Sequence, residues 1–206
     1  MKNRLVAVLI LLGVTLILVG YFSPWVPHRA AGLALTGFEI GEWIKFVPEV
    51  LSGSSPLRRV DFYWPPVVAA MGLALLAGKS RPWHWRDWSL VVIAAILSLF
   101  PFPLLEEIND LNGINANIGR LGLVAMGEMT CLVIVTRQGL PARLRGAALL
   151  LAAGAGVILV SGAFSTAEPI IERLYDQAID PGSGYNLTRC GMLLLAMAGS
   201  IRLVND

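Results

Sequence analysis

Glu128 is the side chain in this 206-residue chain most able to do chemistry, because of where it stands. It lies nine residues into an apolar segment spanning about 119–136. At about 1.5 Å per residue that is about 13 Å along a helix axis, close to the middle of a bilayer. An ionised carboxylate there costs at least about 2.5–3.5 kcal/mol, so the group must turn inward and find a partner. Ser98, at similar depth in the preceding apolar segment, is the expected one, with Thr130 a second choice. The pair reads either as a polar anchor for a ligand or as a hydrogen bond between helices. A single acid without a relay of others makes a poor proton path.

A second group of candidates lies between residues 36 and 51. Thr36-Gly37-Phe38-Glu39 has capping-box spacing, threonine and glutamate each satisfying a free backbone N–H of the other. Behind it Ile40, Trp43, Ile44, Val47 and Leu51 fall on one helical face, and Glu39, Glu42, Lys45 and Glu49 on the other. Pro48 should stop or kink that helix at Val47. Glu39, Glu42 and Trp43 are the expected lid or partner contacts. A second amphipathic helix is expected from Pro169 to Ile179, with proline in its first turn and Asp180-Pro181-Gly182 ending it. The oxygen-rich stretch Glu106 to Asn112 matches no calcium loop, because Ile114 stands where a third ligand should be.

Other chemistries are excluded by spacing. The two histidines, His28 and His84, fall on opposite sides and cannot jointly hold haem or metal. Cys131 and Cys190 fall at different depths, which disfavours a disulfide. There is no C-x-x-C, H-E-x-x-H or G-x-S-x-G. Glu106-Glu107 resembles the paired glutamates of the prenyl-endopeptidase type of membrane protease. That family's following arginine and its two intramembrane histidines have no counterpart here.

The elements that must position these residues are apolar segments. Charged residues make up 15% of the chain and apolar ones 56%, an excess that points to lipid as solvent. Six spans are expected, at about 5–22, 60–78, 88–105, 119–136, 145–164 and 187–204, with an outer loop at 23–59. The segments assigned to the cytoplasm hold nine Lys and Arg against two acids, in short turns. The outer segments hold seven against eleven acids, spread over longer loops. Basic density near span ends therefore places both termini in the cytoplasm. A net charge of +2 and the absence of a basic stripe argue against nucleic acid.

Small residues recur at four-residue spacing: Ala70, Ala74 and Gly78; Ala148, Ala152 and Gly156; Gly191 and Gly199. Such stripes let helix backbones approach closely, within one bundle or against another membrane subunit. In size and span count the chain resembles the substrate-binding subunits of energy-coupling-factor vitamin transporters, small six-helix proteins with a lid-like first outer loop. The resemblance covers architecture alone. Their A-x-x-x-A pattern on helix 1 is missing from the Leu/Val/Ile-rich first span.

The expected fold is thus an all-α integral membrane protein, one polytopic domain over 1–206. It is a six-transmembrane-helix bundle with N and C termini cytoplasmic and two amphipathic helices on the outer face, in the cell membrane. The expected function is a non-catalytic small-molecule binding or transport subunit, or an accessory subunit of a larger membrane complex. The alternative is an intramembrane enzyme at the outer boundary using Glu39, Glu42 or Glu106. No cofactor or metal is expected. The partners are the lipid bilayer and other membrane subunits, with no nucleic acid.

Overall fold

The computed structural model describes residues 2–28, 34–77, 83–109, 111–137 and 140–204. Within them the protein is a helical bundle: α1 (Lys2–Tyr21), α2 (Gly37–Trp43), α3 (Pro48–Leu51), α4 (Trp64–Leu76), α5 (Trp85–Ser98), α6 (Leu111–Ala116), α7 (Ile118–Arg137), α8 (Ala142–Tyr175) and α9 (Ser183–Val204). Short 3₁₀ turns run over Ile44–Phe46, Arg59–Tyr63 and Leu105–Ile108. A two-stranded antiparallel ribbon, β1 (Pro24–Val26) with β2 (Leu35–Thr36), follows α1.

Among the described residues, four helices are long and apolar enough to cross a membrane: α1, α7, α8 and α9. Their surfaces suit one. On α1, Val6, Ile10, Val14, Ile17 and Tyr21 are buried, while Leu5, Val8, Leu11, Leu12 and Val19 are exposed. A helix apolar on every side but buried on one offers its other side to an apolar solvent such as lipid. The remaining two expected spans are shorter. The 13-residue α4 is buried from Pro65 to Leu75 and packs against α1, α5, α7, α8 and α9, so it forms the centre of the bundle. Pro65 and Pro66 occupy its first turn, where a missing N–H costs nothing.

Two expectations are corrected. The third segment was expected to run to 105, but α5 stops at Ser98. Pro101 and Pro103 follow, and each disfavours helical backbone at the residue before it. The second amphipathic helix is not a separate element. The fifth span and residues 169–175 are one 34-residue helix with Pro169 inside it. An internal proline costs about 3 kcal/mol. Ala167 and Ile171, both fully buried on either side of it, anchor the helix through that point. It ends where Asp176 takes a left-handed conformation, φ 50°.

The small-residue stripes are consumed inside the bundle. A Cβ on Gly191 of α9 would lie 2.6 Å from the Gly13 carbonyl oxygen of α1, and one on Gly199 would lie 2.7 Å from that of Gly146 in α8. Ala70, Ala74, Ala152 and Gly156 are buried as well, while Gly78 lies outside the described residues. Arg29, Lys79, Arg81, Asp110 and Asp206, part of the charge sorting, also lie outside them.

Candidate functional site

The ionisable side chains converge at the loop-rich end of the bundle, on Glu42. Its helix α2 starts at the expected capping box: Glu39 N donates to Thr36 Oγ1 at 3.2 Å, and Thr36 N to Glu39 Oε2 at 2.8 Å. As Pro48 requires, Val47 is extended and α3 restarts at the proline. Ile40, Ile44 and Val47 are buried and Trp43 is half-buried against the core, whereas Leu51 is exposed and leaves the predicted stripe. Gly41 lets α2 lie on the Arg59–Tyr63 turn, since a Cβ there would come 3.2 Å from Phe62 Cβ.

That contact overturns the placing of Glu42 on a wet face. Tyr63 Oη donates to Glu42 Oε1, and Arg59 Nη2 donates to Oε2. Lys45 Nζ lies 3.3 Å from Oε2, and Arg120 Nη2 3.8 Å from Oε1. Glu107 closes the cluster from the 105–108 turn. It accepts from Arg120 Nη1 at 2.9 Å, from Arg59 Nη1 at 3.3 Å and from Lys45 Nζ at 3.3 Å.

Arg120, 5% exposed at the start of α7, is the hub. Its Nε donates to the Pro101 carbonyl at 2.8 Å and its Nη2 to that of Phe102 at 3.3 Å. Its guanidinium lies 4.7 Å from the centre of the Tyr63 ring. Asn117 supports the arrangement, donating to the Glu107 carbonyl at 3.3 Å. Three cations and two carboxylates from five segments thus pair with one another, leaving one net positive charge.

Burial alone would raise the Glu42 carboxyl. The Tyr63 hydrogen bond, the Arg59 charge and Lys45 outweigh it and hold Glu42 below the usual carboxylate range. Glu107 behaves alike: burial pushes up, while Arg59, Lys45 and Arg120 pull it lower. Burial disfavours the charged Arg59, but Tyr63, Glu42 and Glu107 raise it above its ordinary value. Both carboxylates are therefore fixed as anions at neutral pH.

Glu128 and Ser98 meet, on α7 and α5. The Ser98 hydroxyl donates to Glu128 Oε1 and lies 2.8 Å from the Ala95 carbonyl oxygen, one proton between two acceptors. Ser98 is fully buried. The helices are closest here, because a Cβ on Gly127 would come 2.4 Å from Ser98 Cβ. Thr130 is not a partner, since it bonds its own helix at Met126 O.

The other candidates scatter. Glu39 is exposed and serves the cap, and Glu106 is exposed. The His28 ring lies edge-on to Tyr175, and His84 caps α5 with Asp87. Among the described residues no three His, Cys, Asp or Glu side chains group as metal ligands. Sequence reasoning missed Arg59, Arg120, Tyr63, Lys45 and Glu107 as one site. The available signal was Arg120 itself, a cation at the mouth of an apolar helix with no acid one turn away.

Compared with known proteins, the chain matches no family model, no curated protein and no solved structure.

Proposed function

We propose that this chain is a multi-pass membrane protein acting as a non-catalytic accessory subunit of a larger membrane assembly, with six apolar segments crossing and both termini cytoplasmic. The observation that carries the reading is the state of the carboxylates. A general acid or base needs a pKa near the working pH and an open side toward substrate. Glu42 and Glu107 are held as low-pKa anions among Lys45, Arg59, Arg120 and Tyr63. Glu39 is committed to a helix cap. This weighs against an intramembrane enzyme at the outer boundary. A small-molecule binding or transport subunit would use Glu128 as its polar anchor, but that group is engaged with Ser98 where α5 and α7 press together. The packing therefore favours the accessory role.

Purification of the tagged chain in mild detergent tests the reading. A stoichiometric membrane partner supports it, and an isolated monomer without partners counts against it. Topology is tested by single cysteines at Arg4, Gln177 and Val204 in the C131S/C190S background. Labelling of the first and third from the cytoplasm and of the second from outside is the expected result.

A further inference from the structure

An open groove of about 320 Å³ runs along α8 at the loop-rich end, with Ile158, Gly162 and Thr166 along one side and Leu57 and Asp61 along the other. Its α8 side is bare. Ile158 is exposed, and a Cβ placed on Gly162 would meet nothing within 4 Å. Its other side carries charge. The Asp61 side chain is only 12% exposed, and its partner Arg58, 3.2 Å away, is 65% exposed. A largely apolar trough on α8 thus has a carboxylate in its lining, with the guanidinium that pairs with that carboxylate next to it.

We propose that this groove holds one bilayer phospholipid whose headgroup carries a primary ammonium. The acyl chain lies over Gly162, the ammonium donates to Asp61, and the phosphate accepts from Arg58. The charge pattern selects this occupant. A carboxylate only 12% exposed needs a strong partner, and an exposed arginine alone is a weak one. A primary ammonium brings three N–H donors and a charge-assisted bond. A choline headgroup has no N–H to give. A purely anionic headgroup satisfies Arg58 but meets repulsion from Asp61. The slot over Gly162 is filled by a flexible apolar chain at no steric cost, as close packing in lipid requires.

The proposal rests on the membrane-spanning reading and goes beyond it. Native mass spectrometry of the full chain, released from detergent with added phosphatidylethanolamine, phosphatidylcholine or phosphatidylglycerol, tests it. We expect one retained phosphatidylethanolamine, favoured over the other two by about tenfold, the worth of one charged hydrogen bond. Asp61→Asn should remove that preference, and Gly162→Leu should lower retention of every lipid with the thermal transition unchanged. Equal retention of the three lipids by the wild-type chain overturns the proposal. So does an unchanged preference in Asp61→Asn. A dimer that Gly162→Leu splits would show a second copy in the groove and overturn it too. If the chain stays soluble without detergent, the membrane reading itself fails, and that is read on the same preparation.

Discussion

Replacing Arg120 with alanine isolates what the charge cluster contributes. The substitution leaves the Pro101 and Phe102 carbonyls without their donor and takes the nearest cation from Glu107. Each orphaned buried carbonyl costs about 1–3 kcal/mol. Removing one side of a buried ion pair costs about 3–5 kcal/mol. Glu107 is 21% exposed and keeps Arg59 and Lys45, so the lower end applies. Phe102 is exposed, so water takes over its carbonyl, and the lower ends for the Pro101 carbonyl and the ion pair give an expected loss of about 4 kcal/mol. Arg120→Lys should recover part of it, because an ammonium keeps the charge but cannot hold two carbonyls and a carboxylate in one plane. Arg173→Ala is the control: its pair with Glu49 has side chains 67% and 41% exposed, and such pairs contribute little. The assay is reversible unfolding in detergent, followed by tryptophan fluorescence. A double-mutant cycle with Glu107→Gln would measure the coupling. If Arg120→Ala costs no more than Arg173→Ala, the cluster does not hold this end of the bundle together and the reasoning fails.

Three further outcomes are expected. The folded-state pKa values of Glu42 and Glu107 lie below their unfolded values. Their contribution is therefore complete above the unfolded glutamate pKa of about 4.3 and is lost as pH falls through the lowered folded values. A stability–pH curve that does not fall there, or that is unchanged by Glu42→Gln, contradicts this. Glu128→Gln should leave thermal stability nearly unchanged, because the amide keeps an acceptor opposite Ser98, whereas Glu128→Ala should cost about 0.5–1.5 kcal/mol by removing the bond between α5 and α7 while the Ser98 hydroxyl keeps the Ala95 carbonyl. Equal losses would mean the bond to Ser98 contributes nothing. Gly191→Val should destabilise by about 3 kcal/mol or more, since even a Cβ there would sit 2.6 Å from the Gly13 carbonyl. Gly122→Val on the open side of α7 is the neutral comparison, and similar melting of the two variants would show that α1 and α9 are not so close.

What could be read from the sequence was local or one-dimensional. The apolar runs that became α1, α7, α8 and α9 were visible because lipid as solvent demands uninterrupted apolar length. The cap at Thr36 and the break at Pro48 were visible because both act within four residues. Ser98 was found for Glu128 because depth along a helix converts directly into height in a bundle. Pro169 misled, because its preference for a first turn is a tendency that the burial of Ala167 and Ile171 overrides. Pro101 and Pro103 were passed over inside an otherwise apolar run.

Residue order alone was enough to specify an all-α bundle with helices long and apolar enough to cross a membrane. What Glu42 and Glu107 do depends on the path of the chain in three dimensions. Residues 42, 59, 107 and 120 are separated by loops whose paths no local rule specifies, and on their own each reads as an isolated surface charge. Folding brings α2, the Arg59–Tyr63 turn, the 105–108 turn and α7 to one point around the central α4. There partial burial, deepest at Arg120, strengthens the charges by reducing the water that screens them. That turns five scattered ionisable residues into a single ion-paired clamp.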